Sequence, residues 1–215
     1  MATLDRHVPL GRARSFALLV VALLSIIVVV TLLAQVTRNK IARNERAWLI
    51  AQLDALVPTS LHDNDMFTDR LVVNARDLLG ADSAIAYRAR NQGNPVAVVL
   101  TPVAPDGYGG RIELLVAIAY DGSVLGVHVL SHHETPGIGD GFEPRRTAWL
   151  QSFNQRSLAN PEPTRWTIRK DGGGFDQFTG ASVTPRAIIK TVRRTLEYYR
   201  ANREALFNAA SEPKS

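Results

Sequence analysis

The sequence predicts an α+β fold, in which a single N-terminal transmembrane helix is followed by one α+β domain. An uncharged apolar stretch of 21 residues, Phe16–Val36, predicts the transmembrane helix. Short Val-, Ile- and Leu-rich segments between residues 85 and 131, separated by turn residues, predict antiparallel strands. An apolar stripe with helical spacing near the C-terminus predicts a long helix that packs on them.

The apolar stretch is long enough to cross a membrane, because about 20 residues rising ~1.5 Å each span a hydrocarbon core of ~30 Å. Ser25 and Thr31 are compatible with lipid, since their hydroxyls can bond back to the helix backbone. A cleaved signal peptide is the alternative, but its apolar region is usually roughly 7–15 residues and ends at small residues. We therefore expect residues 1–15 before the membrane, 16–36 within it, 37–58 as a helical stalk, 59–208 as the folded domain and 209–215 as a tail.

The basic character of the chain lies around this stretch. Residues 1–46 carry seven Lys or Arg against two Asp or Glu, which accounts for the net charge of +5, whereas the remaining residues carry 18 of each sign. A nucleic-acid-binding protein would place its basic excess on the folded body, so no nucleic-acid partner is expected. Arginines stand on both sides of the apolar stretch, and the charges leave both membrane orientations open.

The chain contains no cysteine. This excludes disulfide frameworks, cysteine-ligated zinc, iron–sulfur ligation and thiol nucleophiles.

Helical periodicity continues after the apolar stretch. Leu49, Leu53 and Leu56 predict an amphipathic helix over 40–57 that ends before Pro58, and a second helix is expected over 66–79, ended by Gly80.

The strand region has a period of two. Strands are expected at 85–90, 95–102, 112–120 and 124–131, with a turn over 104–110 and a type I′ hairpin at Asp121-Gly122. After them we expect a loop over 132–141, a helix over 145–156, a short strand over 166–169, and a last helix that begins near Pro185.

The segment Thr179–Pro185, TGASVTP, precedes that last helix. Thr184 is a favourable N-cap and Pro185 a favourable first helical residue. Gly180, Ala181 and Ser182 are small enough for close backbone approach, and a helix N-terminus favours an anion such as phosphate. The alternative is a well-capped helix behind a tight turn.

The segment Ser131–Glu143, SHHETPGIGDGFE, predicts a loop rich in glycine and carboxylates. A metal site built from its histidines and carboxylates is disfavoured, because adjacent histidines in extended chain point to opposite sides. No G-x-S-x-G elbow accompanies them, so serine hydrolase chemistry is not predicted. A plain turn at Thr135-Pro136-Gly137 remains the alternative to a ligand-binding loop.

Three motifs together resemble one protein family over nearly the whole chain. They are DQFTGASVTP (176–185) with its flanks KDGGGF and RAIIKTV, HETPGIGD (133–140), and PDGYGGRIELLVAI (105–118). In this order, and behind a single anchor, they are similar to the G subunit of the Rnf/Rsx ion-translocating electron-transport complex. The C subunit of the sodium-pumping NADH:quinone reductase is a relative of that family.

The resemblance implies an FMN held by a phosphoester bond to a hydroxyl in a D-x-x-[ST]-G-A-T pattern. Asp176, Thr179, Gly180 and Ala181 match the pattern, and Ser182 occupies the acceptor position, where the family usually has threonine. Thr184 is the nearest alternative acceptor. The resemblance further implies that the loop containing Glu134, Thr135 and Gly137 lines the flavin ring and is too crowded for larger residues, with Glu134 tuning the ring.

A membrane-anchored electron-relay subunit, rather than a stand-alone enzyme, is the function that the resemblance implies. The implied partners are other membrane subunits of the complex and a flavin transferase. The implied location is the bacterial inner membrane, as a single-pass protein. Residues 1–15 would be cytoplasmic, and the FMN-binding domain, residues 59–208, would be periplasmic. Two alternatives remain: an anchored assembly or binding module without covalent flavin, favoured by the serine at position 182, and a subunit of a sodium-pumping NADH:quinone reductase.

Overall fold

A computed structural model describes residues 10–178 and 180–211 of the chain. The chain divides into two units, one up to Leu49 and one from Ile50 onward. Helix α1 (Leu10–Leu56) begins in the first unit and ends in the second, two residues before Pro58.

The first unit contains a helical stretch, Arg14–Gln35, that is long and apolar enough to cross a membrane. Its large apolar side chains are exposed, as a helix surrounded by lipid requires. The hydroxyl of Ser25 donates to the Val21 carbonyl at 2.8 Å, and that of Thr31 to the Ile27 carbonyl at 2.7 Å. Both predicted hydroxyl bonds are confirmed, so these polar groups are satisfied within the helix.

The second unit contains one antiparallel sheet, which with the helices confirms the predicted α+β class. Its strands are β1 (Arg70–Val73), β2 (Ala84–Asn91), β3 (Asn94–Leu100), β4 (Val103–Gly107), β5 (Gly110–Ala119) and β6 (Val124–Ser131). The order is β1-β2-β3-β5-β4, and β6 also pairs with β5. Strands β2, β3, β5 and β6 confirm the four predicted strands to within a few residues.

Two strands contradict the sequence predictions. β1 lies inside the stretch predicted as a helix over 66–79, of which only the short helix α2 (Arg76–Leu79) and its left-handed end at Gly80 are found. β4 occupies part of the stretch predicted as a turn. Both are short strands stabilised by pairing with β2 and β5, which lie elsewhere in the sequence, so local periodicity does not reveal them.

The turns also differ from the prediction in detail. A hairpin does join β5 to β6, but there only Gly122 has a positive φ, of 93°. The turn with positive φ at both central residues is Gln92-Gly93, between β2 and β3. The type I′ signature therefore belongs to a Gln-Gly pair rather than to Asp121-Gly122.

Aromatic packing replaces regular structure between β6 and the last helix. Of the helix predicted over 145–156, only a 3₁₀ turn, Trp149–Phe153, is found. The strand predicted over 166–169 is reduced to an isolated bridge between Ile168 and Phe175, flanked by the 3₁₀ turns Pro163–Arg165 and Arg169–Asp171. Trp149, Phe153, Trp166 and Phe175 are buried together, and the ring centres of Phe153 and Phe175 are 4.8 Å apart. Burial of these rings stabilises the segment without a backbone ladder.

Helix α3 (Val183–Asn208) covers the sheet. The predicted stripe of Ile188, Val192, Leu196 and Tyr199 is buried in the core, which confirms it. The Tyr199 hydroxyl donates to the Tyr120 carbonyl at 3.1 Å.

Two arginines of β2 hold the C-terminal end of α3. Arg88, which is 1% exposed, donates to the carbonyl oxygens of Leu206 at 3.0 Å and Ala209 at 2.6 Å, and pairs with Asp69. Arg90 donates to Asp69 at 2.9 Å and to the Phe207 carbonyl at 2.6 Å. Cations here bind carbonyls that a helix end leaves unpaired, and they interact favourably with the negative end of the helix dipole.

Replacing Asp69 with Asn is expected to reduce the free energy of unfolding by about 3 kcal/mol at pH 7, because it leaves a buried arginine without its carboxylate. Burial raises the pKa of Asp69, but hydrogen bonds from Ser211, Arg90 and Arg88 and the charge of Arg88 lower it more, so the pKa lies below its ordinary value. The carboxylate therefore stabilises the fold above an unfolded pKa of about 3.9, and this contribution is lost as the pH falls.

Urea titrations of the full chain at pH 7 and pH 3 test this prediction. Asp82→Asn is the control, because Asp82 forms only an exposed pair with Arg76 and should change stability by no more than about 0.5 kcal/mol. The difference in free energy of unfolding between wild type and Asp69→Asn should be smaller at pH 3 than at pH 7. An equal difference at both pH values would contradict the assigned role of Asp69.

Candidate functional site

Three separate segments of the second unit enclose a cavity of about 440 Å³. They are the β4–β5 turn, the loop after β6 and the stretch that leads into α3. The volume lies within the range of about 300–1,000 Å³ typical of small-molecule sites. The lining residues are Tyr108, Thr135, Ile138, Gly139, Gly180, Ala181, Ser182, Val183 and Thr184. The structure thus brings residues from all three sequence motifs, 105–118, 133–140 and 176–185, onto one cavity.

Ser182 stands at the N-terminal boundary of α3. Its side chain is half-buried, and its Oγ lies 2.9 Å from Nη1 of Arg186, one helical turn further on. No side chain among the described residues caps this helix end. The prediction that Thr184 is the N-cap is wrong, because the helix begins at Val183. Pro185 is third in the helix rather than first, still within the turn whose amides have no helical partner.

Thr184 is bound to a buried carboxylate instead. Its hydroxyl donates to Oε2 of Glu134 at 2.8 Å, and the Gly109 amide donates to Oε1 of the same carboxylate at 3.1 Å. Glu134 is 5% exposed and is not among the cavity-lining residues. Its carboxylate connects the three segments that form the cavity.

Glycines make room for this carboxylate. A Cβ at Gly139 would lie 2.6 Å from Oε2 of Glu134, and one at Gly107 would lie 2.7 Å from Oε1. A Cβ at Gly109 would lie 2.1 Å from the His133 carbonyl oxygen. Cβ contacts this short would force a neighbour to shift, so close approach explains glycines in the 105–118 and 133–140 motifs.

Gly137 has a different reason to be glycine. An added Cβ there would meet no described protein atom within 4 Å, unlike one at Gly139. Gly137 has a φ of +84°, a conformation that disfavours side chains, and its amide donates to Oδ1 of Asp140 at 2.8 Å.

The other residues predicted for the site lie in different places. Thr135, Gly180 and Ala181 line the cavity. Asp176 does not: its exposed carboxylate pairs with Arg169 at 2.7 Å, and its carbonyl accepts a bond from the Trp149 indole at 2.7 Å. Thr179 lies outside the described residues.

Sequence reasoning did not find the apolar rim of the cavity. Tyr108 is 74% exposed, Ile138 52% and Val183 44%, and all three line the cavity. The exposed tyrosine of the PDGYGG turn was an available signal, since a large aromatic side chain at a turn tip is not explained by the core.

Sequence reasoning also did not find Arg186 and its partner Asp171. The two side chains form a paired contact, with Nε to Oδ2 at 2.6 Å and Nη2 to Oδ1 at 3.0 Å. This hydrogen bonding lowers the pKa of Asp171 and raises that of Arg186. The spacing of Arg186 four residues after Ser182 was the available signal, because such residues are neighbours on a helix.

Comparison with known proteins shows which proteins the chain resembles. The family model for an FMN-binding domain matches residues 107–197, which include every lining residue. The chain is 43% identical to the G subunit of the ion-translocating oxidoreductase complex of Shewanella loihica, over 90% of this chain and 89% of that protein. It is 44% identical to the corresponding G subunit of Pseudoalteromonas atlantica, over 83% of this chain and 84% of that protein. For the G subunit of Vibrio atlanticus the identity is 42%, over 79% and 81% respectively.

Replacing Thr184 with Val tests the connection through Glu134. The variant should reduce the free energy of unfolding by about 2 kcal/mol, because a buried carboxylate oxygen loses its donor. Thr195→Val is the matched control: this threonine is on the same helix and equally buried, but its hydroxyl bonds only to the Thr191 carbonyl. It should cost about 1 kcal/mol. Chemical denaturation measures the free energy of unfolding of both variants. A loss in Thr184→Val no larger than that in Thr195→Val would contradict the connection through Glu134.

Proposed function

Because the chain belongs to the family of G subunits of ion-translocating oxidoreductase complexes, we propose that its cavity holds an FMN joined by a phosphoester bond to Ser182. The chain is an FMN-binding subunit of such a complex. The observation that carries the proposed attachment is the position of Ser182, which lines the cavity at the start of α3 and whose hydroxyl contacts a guanidinium.

The residues around the cavity fit a flavin nucleotide. Ser182 supplies a hydroxyl for the phosphate, while the N-terminus of α3 and Arg186 supply positive charge beside it. Gly180 and Ala181 leave space next to that hydroxyl. The apolar rim of Tyr108, Ile138 and Val183 suits an aromatic ring system.

The chain's residues bind and orient, whereas the flavin supplies the electron-transfer chemistry when bound. For attachment, the Ser182 hydroxyl loses its proton as its oxygen bonds to phosphorus. A P–O bond of the donor nucleotide breaks, and its leaving group departs with the electron pair. Glu134 acts by fixing the walls of the cavity rather than by contact with the ring, because it binds Gly109 and Thr184 and is not among the residues that line the cavity.

The proposal extends to the setting of the domain. The chain is a single-pass protein of the bacterial inner membrane with its flavin domain in the periplasm, where it relays electrons between neighbouring membrane subunits. A flavin transferase attaches the FMN. The apolar helix supports an anchored subunit. The relatives described above are named as G subunits of ion-translocating oxidoreductase complexes, which favours this complex over a quinone reductase.

One observation favours a second candidate, a flavin-free assembly module: a serine occupies the acceptor position that is usually threonine in the family that the sequence resembles. The attachment experiment separates the two candidates.

Ser182→Ala is expected to abolish flavin fluorescence in a denaturing gel of the full chain co-expressed with a flavin transferase, because only a covalent flavin survives denaturation. Ser182→Thr should retain the fluorescence, since it keeps a hydroxyl in the same place. Ser123→Ala, in the exposed β5–β6 hairpin, is the control and should be unaffected. Fluorescence that persists in Ser182→Ala would assign the attachment to another residue. A wild-type band without flavin fluorescence would favour the flavin-free module.

Membrane orientation is tested with a reporter that is active only in the cytoplasm. Fused after Ser215 it should be inactive, because the proposed orientation places residues 38–215 in the periplasm. The same reporter fused before Met1 should be active and serves as the control. Strong activity of the C-terminal fusion would reverse the orientation.

A further inference from the structure

We propose that Arg186 is a positioning residue for the phosphoester at Ser182 and acts as its counter-ion, an inference that rests on the proposed attachment. The contact that points to this role joins Nη1 of Arg186 to Oγ of Ser182 at 2.9 Å. The same Nη1 lies 3.4 Å from the Ser182 carbonyl oxygen. Ser182 Oγ is the atom that becomes the ester oxygen.

The guanidinium is held in this position by two constraints. Arg186 follows Ser182 by four residues, and side chains on a helix lean toward its N-terminus, so Arg186 extends over the turn that contains the serine. Asp171 then binds the Nε and Nη2 edge, which leaves Nη1 for Ser182. A planar guanidinium can contact a carboxylate on one edge and a second acceptor on another, which lysine cannot reproduce.

The phosphodiester proposed at Ser182 is negatively charged and would be stabilised by the Arg186 guanidinium. A phosphodiester carries one negative charge at neutral pH, and hydrogen bonds between a guanidinium and a phosphate are among the stronger ones in proteins. Two other cations are paired with carboxylates of their own: Lys190 with Asp106 and Arg169 with Asp176. Arg186 is the cation whose side chain contacts the serine.

The alternative is that the Arg186–Asp171 pair only fastens the 3₁₀ turn Arg169–Asp171 to α3. Under that alternative, replacing either partner should change flavin incorporation and the melting temperature equally, because each replacement breaks the same ion pair. Under the counter-ion role the effects differ. Asp171→Asn keeps the guanidinium, which the four-residue helical spacing still places beside Ser182, whereas Arg186→Gln removes it.

The experiment compares the full chain as wild type, R186Q, R186K and D171N. Each is incubated with a flavin transferase and flavin adenine dinucleotide, from which the Ser182 oxygen displaces AMP and its proton passes to solvent. The first measurement is the initial rate of covalent flavin incorporation. We expect a loss of about ten-fold in R186Q, less than two-fold in D171N, and no more than about three-fold in R186K, which keeps the charge.

The second measurement does not depend on recognition by the transferase. The melting temperature of each chain is compared before and after complete flavin attachment. R186Q and D171N should melt at similar temperatures without flavin, because both lack the ion pair. Attachment should then lower the melting temperature of R186Q, whose phosphate has no counter-ion, relative to its effect on wild type and D171N.

Equal incorporation rates and equal attachment effects in R186Q and D171N would overturn the counter-ion role while leaving attachment at Ser182 intact. A wild type that acquires no covalent flavin would overturn the attachment itself and this inference with it.

Discussion

The buried carboxylate of Glu134 is the constraint on which the rest of the site depends. A carboxylate removed from water is costly unless its oxygens are bound, and here the Gly109 amide and the Thr184 hydroxyl bind them. These partners come from the β4–β5 turn and the first turn of α3, which are far from Glu134 in sequence. The carboxylate therefore fixes the relative positions of three segments, and the glycine at 139 leaves room for it.

The cavity follows from this connection. Once the three segments are fixed, Ser182 and Thr135 face the same space, and Tyr108, Ile138 and Val183 form its exposed apolar rim. A flavin tethered there would need no general acid or base from the protein, so the chain's contribution is a hydroxyl, a nearby cation and a shaped wall.

The parts of the fold that local pattern determines could be predicted from the sequence. Alternating apolar residues revealed β2, β3, β5 and β6, and the stripe from Ile188 to Tyr199 revealed the buried face of α3. The strands β1 and β4 and the irregular segment around Trp149 and Phe153 depend on long-range pairing and aromatic packing, which no local pattern encodes. In the site, residue size and the predicted helix start singled out Gly180, Ala181 and Ser182, and the resemblance added the acceptor role of Ser182. Thr184 was misread as a cap, because its acceptor, Glu134, lies 50 residues away in the sequence.

Peptide mass spectrometry of the purified wild-type chain tests the attachment at Ser182 most directly. Trypsin releases residues 171–186 as one peptide, whose hydroxyl-bearing residues are Thr179, Ser182 and Thr184. We expect this peptide to carry the mass of FMN less one water, and its fragment ions to place the added mass on Ser182. The same mass on Thr179 or Thr184, or a wild-type peptide that is entirely unmodified after co-expression with a flavin transferase, would contradict the proposed attachment.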